Sequence, residues 1–245
     1  MWAISIAFNP NKELILNIKY IFTWDTESNS VVKLENKEIL IHNEKISTVQ
    51  DSINEDVEII DANNLVITPG FIDCHTHPIF VNHRSNEYYL RSIGKKYEEI
   101  SLSGGGINRS VEQVRKISEG DLYDISIQRM DDFLFNGTTT IEAKSGYGLT
   151  LDDEIKLLNV IKRIHNAHPL DLIPTFLGAH SIPREFKNNP SSYVDLICNK
   201  IIPKVSELKL AKFCDVFCEE GYFNYEDSKK ILEIGKKFGL LPRLH

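Results

Sequence analysis

The sequence predicts an α/β fold in which a parallel, barrel-like sheet follows a small β-rich segment. Three observations carry this prediction. From Pro69 onward, β-branched and apolar runs alternate with stretches of helical periodicity, the pattern of βα units around a parallel sheet. Before Pro69 the chain holds only β-like runs. The runs after Pro69 end in polar residues able to do chemistry, as strands do where a barrel opens onto its site.

In chain order, ELILNIKYIFTW, VVKLENKEILIHNEKISTVQ and VEIIDANNLVIT are rich in Ile, Val and Thr and are separated by Asn, Asp, Ser and Lys turns. They predict a small β domain over residues 1–68, with His42 on its surface, and the barrel portion over 69–245. Pro69-Gly70 breaks the chain, and the first barrel strand follows with Phe71 and Ile72. The connection from Pro78 to about Asn108 ends in Ser-Gly-Gly-Gly-Ile and reads as an active-site loop with a lid hinge. No Lys-Ser/Thr follows those glycines, which excludes a phosphate-binding P-loop.

Two helices come next, SVEQVRKIS and DLYDISIQRMDDFLFNG. In the second, Leu122, Ile125, Met130, Phe133 and Leu134 share a side, and Gly137 closes the C-terminus. TTTIEAKS is the second strand. Thr150 and Asp153 signal an N-cap for a helix with Ile155, Leu158, Ile161 and Ile164 inward. DLIPTFLGAH is the third strand, and the helix after it carries Pro203, which predicts two pieces or a kink. FCDVFCEEG is the fourth strand, placing Cys214 and Cys218 on one face. Asn224 caps the last helix, Gly239 ends it, and LLPRLH is the fifth strand. Five strands do not close an eight-stranded barrel, so the expectation is the first part of a longer protein.

Composition narrows the function. The 245 residues carry 28 Lys and Arg against 35 Asp and Glu, a net charge of −7 without a basic run, which argues against nucleic acid and anionic membranes as partners. No apolar run approaches the roughly 18 residues of a membrane span, and MWAISIAFNPNKE lacks the pattern of an export signal. The four cysteines, Cys74, Cys198, Cys214 and Cys218, read as buried reduced thiols of a cytoplasmic globular protein.

The chemistry gathers where strands end. Asp73, His75 and His77 alternate along the first strand and share a face, with Cys74 and Thr76 on the other. Two imidazoles so placed converge on one divalent ion, and Asp73 is positioned to orient a ligating ring. A bare HxH pair also occurs as ordinary hydrogen-bonded histidines. Here, however, later strands end in Lys144-Ser145-Gly146-Tyr147, His180, Glu219-Glu220 and His245, so histidine closes three of five strands. His165 and His168 mimic a metal pair, but the far end of an outer helix lies at the rim opposite the site.

PGFIDCHTH resembles the first-strand signature of the amidohydrolase superfamily, which implies a (β/α)8 TIM-type barrel, incomplete here at about five strands, and a preceding segment belonging to a composite β-sandwich. HTHPIFVNHRSNEYYLR, SGGGI, TTTIEAKSGYGLTLDDEIKLL, TFLGAHSIPREFK and YVDLIC resemble the imidazolonepropionase family within it. That resemblance implies hydrolysis of 4-imidazolone-5-propanoate to N-formimidoyl-L-glutamate with one zinc or iron ion, and it is compatible with a homodimer. It implies His75, His77 and His245 as metal ligands and Arg84, Tyr147 and His180 as substrate-binding residues. The chemistry agrees: an Arg fork suits a propanoate carboxylate, and glycines beside Tyr147 permit close approach. The family's catalytic glutamate, its aspartate ligand and a later histidine have no counterparts up to His245, so no catalytic residue is assigned, and Glu219 and Glu220 are not taken as substitutes. The alternatives are another amidohydrolase acting on a cyclic amide or heterocycle, and a non-catalytic truncated chain.

Overall fold

The computed structural model describes residues 14–43, 45–96, 99 and 105–245. The expectations for residues 1–13 and for Ser103-Gly104 fall outside these. The chain divides into two compact units, Met1–Phe71 and Ile72–His245.

The first unit is a mixed four-stranded sheet. Strands β1 (Leu14–Asp25), β2 (Ser30–His42), β3 (Lys45–Gln50) and β4 (Glu58–Ile67) lie in the order β3-β2-β1-β4. The pairs β1–β2 and β2–β3 are antiparallel, whereas β1–β4 is parallel. Asn29 makes the first reversal in the left-handed region at φ 52°, a conformation that Asn tolerates better than most residues. Leu16, Ile18, Ile21, Ile39 and Ala62 form this unit's core. The second β-like run of the sequence is thus two strands.

The second unit holds a five-stranded sheet in sequential order: β5 (Phe71–Thr76), β6 (Thr138–Lys144), β7 (Asp171–Ala179), β8 (Phe213–Val216) and β9 (Leu241–Leu244). Pairing from β6 to β9 is parallel throughout. Helices α1 (Ser85–Ser92), α2 (Ile107–Lys116) and α3 (Glu119–Phe135) connect β5 to β6. Helix α4 (Leu151–Ala167) precedes β7, and α7 (Tyr225–Lys237) precedes β9. Between β7 and β8, α5 (Pro190–Leu196) runs through a π-helical turn, Ile197–Ile201, into α6 (Ile202–Glu207). That turn is how the helix accommodates Pro203, which has no N–H and crowds the preceding turn.

The core lies between sheet and helices. Ile141, Leu158, Ile161, Ile164, Phe176, Tyr193 and Val216 are fully buried within it. Caps form where the sequence predicts them: Thr150 Oγ accepts from Asp153 N–H, Asn224 Oδ1 accepts from Asp227 N–H, and Gly137 and Gly239 leave their helices at φ 84° and 85°.

Several expectations need correction. The stretch after His77 is not one open loop, because α1 occupies part of it. Strand β8 ends at Val216, so Cys218 lies beyond it in an isolated bridge to Phe223 and does not continue the face of Cys214. All four thiols are free, but only Cys198 and Cys214 are buried, and Cys74 is exposed. On the edge strands, Ile72, Leu241 and Leu244 present apolar side chains to solvent. No helix among the described residues is long and apolar enough to cross a membrane.

Candidate metal centre

Edge strands of a flat five-stranded sheet would stand four spacings apart, about 19 Å. Here the rings of His75, at the end of β5, and His245, just past β9, lie 4.6 Å apart between centroids. Arg243 on β9 reaches across to the Cys74 carbonyl on β5 at 3.4 Å and to the Glu142 carboxylate on β6 at 3.0 Å. The sheet therefore curls strongly, and its strand ends face one another across a shared interior. Parallel pairing puts every C-terminal strand end at the same rim, so side chains from β5, β7 and β9 meet.

At that rim His75, His77 and His245 each offer a ring nitrogen within 4.8 Å of the other two. Among the described residues this is the group whose donor atoms approach closely enough to share one ion. Main-chain bonding holds the third ring's backbone, as His245 N–H donates to the Val216 carbonyl at 2.9 Å. Two observations test the fit of a metal. The Nδ1 atoms of His77 and His245 are buried without a hydrogen-bond partner, a cost that a ligand would offset. Burial, reinforced by the neighbouring histidines, pushes His77 down to about 2, and burial also lowers His245. Neutral rings keep the lone pair that a zinc or iron ion would take. The donor set fits.

Beside this group, the His180 ring stacks on His77 at 4.9 Å and 20°, and Tyr147 lies 5.7 Å from His77 and 5.4 Å from His180. His180 Nδ1 pairs with the Gly146 carbonyl at 2.9 Å. A carbonyl can only accept, so that nitrogen carries the proton and Nε2 keeps the free lone pair. Burial pushes His180 down to about 4, with the nearby charge of Arg84 acting in the same direction. Arg84 sits at the N-terminus of α1, half-buried, 3.8 Å from Glu87. The segment leading to it is held by Arg129, whose guanidinium donates to the carbonyls of Phe80 at 2.5 Å and Val81 at 2.9 Å.

Other residues that the sequence singles out lie elsewhere. Asp73 does not touch a ring; its carboxylate accepts from the His75 main-chain N–H at 3.2 Å. Glu219 and Glu220 are exposed. His165 and His168 accept from the main-chain N–H groups of Leu172 and Leu170 at the other end of β7.

Sequence reasoning misses the polar cluster beneath the histidines. Lys144 Nζ, nearly inaccessible, donates to Glu142 at 2.9 Å and Asp215 at 2.5 Å, and Thr175 Oγ donates to Glu142 at 2.6 Å. Asp215 Oδ2 stands 3.8 Å from His245 Nδ1. The available signal is charge at alternate positions inside otherwise apolar strands, IEAK and CDV.

No protein-family profile matches the chain. Curated relatives do. The chain is 49% identical to the imidazolonepropionase of Brevibacillus brevis over 78% of its own length and 45% of the relative's. It is 44% identical to that of Thermoanaerobacter pseudethanolicus over 95% of its own length and 58% of the relative's. The chain thus spans about half the length of the curated relatives it matches. Among solved structures, 5-methylcytosine deaminase from Klebsiella pneumoniae matches 95% of the chain with 50% of its own, at TM-score 0.62 and 13% identity. The zinc complex of atrazine chlorohydrolase from Arthrobacter aurescens matches 95% with 52% of its own, at TM-score 0.61 and 14% identity. A solved amidohydrolase gives TM-score 0.60 at 16% identity, covering 95% of the chain and 56% of its own. In sequence the chain is related to the imidazolonepropionases over about half of their length, and in fold its curled five-stranded sheet is part of a TIM-type barrel like that of the solved amidohydrolases.

Proposed function

We propose that this chain supplies the metal-binding and substrate-binding rim of a cytoplasmic hydrolase that opens the ring of 4-imidazolone-5-propanoate to give N-formimidoyl-L-glutamate. The observation that carries the reading is the meeting of His75, His77 and His245 beside Arg84, Tyr147 and His180 at one rim. The first three would hold one zinc or iron ion. Bound there, such an ion supplies Lewis acidity and an acidified water.

The chain's own residues do the rest. Arg84, a planar donor fork near the histidines, pairs with the propanoate carboxylate. His180, its Nδ1–H engaged by Gly146, is held in one tautomer and presents Nε2 to a polar hydrogen of the substrate ring. Tyr147, only 8% exposed, lies beside the rings of His77 and His180 and packs against the same substrate ring. Nothing in this chain is assigned as proton carrier.

The test is a substrate panel: the full-length protein, purified with zinc or iron supplied, against 4-imidazolone-5-propanoate, the same ring without the propanoate arm, and cytosine. Formation of N-formimidoyl-L-glutamate with strong preference for the acid-bearing ring supports the reading. Equal rates on the arm-less ring or on cytosine contradict it in favour of another amidohydrolase specificity.

A further inference from the structure

Glu154 belongs to helix α4, yet its carboxylate does not serve that helix. Capping is done by Thr150 and Asp153. The Glu154 side chain is wholly buried and turns back onto the preceding turn. Oε2 accepts from Gly146 N–H at 3.1 Å, and Oε1 accepts from Gly148 N–H and Leu149 N–H, both at 2.9 Å. Ser145 Oγ, one residue before this turn, accepts from Leu177 N–H at 3.0 Å. The carbonyl side of the same turn is held from the opposite direction. Arg115 Nε donates to Gly148 O at 2.8 Å and Nη2 to Leu149 O at 3.3 Å.

The turn needs such fixing. Leu149 sits at φ 56°, left-handed space that a branched side chain occupies only where its surroundings force it. A Cβ on Gly148 would come within 2.6 Å of Asp153 C and Glu154 N, so the turn is pressed against the start of α4. Gly146, at φ 102°, hands its carbonyl to His180 Nδ1, and a Cβ there would meet that ring at 3.0 Å. Tyr147 lies between these two glycines. One carboxylate thus holds the strip of main chain that carries Tyr147 and orients His180.

We infer that Glu154 is a positioning residue for the substrate pocket, acting through the turn of residues 146–149 to place Tyr147 and set the ring of His180. The inference rests on the proposed reading in which those two residues contact substrate. A carboxylate is required because each of its oxygens faces N–H groups. An amide of the same shape would set a donor against a donor at one of them.

The experiment compares Glu154→Gln with wild type, both in the full-length protein, in three measurements: residue-resolved amide exchange, metal content, and kcat with KM on 4-imidazolone-5-propanoate. Expected are faster exchange at Gly146, Gly148 and Leu149, unchanged metal content, and KM raised at least about tenfold with kcat changed much less. Faster exchange with an unchanged KM overturns the positioning role, provided Tyr147→Phe and His180→Asn still raise KM. If those two variants leave KM unchanged as well, the substrate-contact reading has failed and takes this inference with it. Unchanged exchange also overturns it. Should Glu154→Gln fail to fold, Arg115→Met loosens the same turn from its carbonyl side; raised KM is then expected, and an unchanged KM overturns the inference.

Discussion

The imidazoles of His75 and His245 stack at 4.6 Å and 21° although they leave opposite edges of a five-stranded sheet. Residues 170 positions apart in sequence meet because parallel strands share one rim and the sheet curls. The relationship explains why a donor set assembles here: two ligands come from one strand end, and curvature delivers the third. Everything proposed about chemistry depends on that geometry.

Arg84 tests the substrate assignment. Replacing it with Met removes a charge-assisted contact worth roughly 1.5–3 kcal/mol, so KM for the propanoate substrate should rise about ten- to over a hundredfold. A ring lacking the propanoate should lose little. Steady-state kinetics on both compounds decide it, and equal losses would mean that Arg84 supports the fold of α1 and does not pair with substrate.

Protonation supplies a second prediction. Burial holds His77 at about 2 and His180 at about 4, both below the 6.5 of a free imidazole. Below about pH 6.5 the unfolded chain takes up protons that the folded, metal-free protein refuses, so stability is full above that pH and falls as pH drops toward 4. The urea midpoint of metal-free protein should be lower at pH 5 than at pH 8. His180→Asn, which keeps a donor for the Gly146 carbonyl, should show a smaller difference between the two. A variant with the wild-type difference would rule His180 out as a source.

The cluster beneath the site predicts a stability effect. Lys144→Met leaves Glu142 and Asp215 buried without their shared cation, although Arg243 still pairs with Glu142. The loss should be about 3–5 kcal/mol at neutral pH, the usual cost of stranding buried charge. Denaturant unfolding measures it, and a loss under 1 kcal/mol would mean that Lys144 is not what makes burial of the two carboxylates tolerable.

His75, His77, His180 and His245 can be located from sequence because period-two patterning and turn residues mark where strands end. Thr150 and Asn224 are readable as caps because capping is local. Lys144 is legible as a strand end, but its role, like those of Glu154, Glu142 and Asp215, is not, because that meaning depends on partners. Lys144 meets Asp215 across 71 positions, and Glu154 acts on main chain, which leaves no mark of its own in side-chain patterning. Helix α1 escapes notice because SNEYYLRS is polar, with Tyr88 and Tyr89 facing solvent, so it carries little apolar periodicity. Strand β8 reads as too long because FCDVFC continues its apolar pattern past the point where pairing stops.

Three histidines brought together by sheet curvature should hold one metal ion, and metal analysis of the purified full-length protein reads this out without any assumption about substrate. Wild type and Cys74→Ala should each carry about one zinc or iron per chain, since Cys74 lies on the opposite strand face. His75→Ala and His245→Ala should each lose most of it, because a chelate depends on every one of its few ligands. Metal content in both histidine variants equal to wild type would contradict a site built from these three rings.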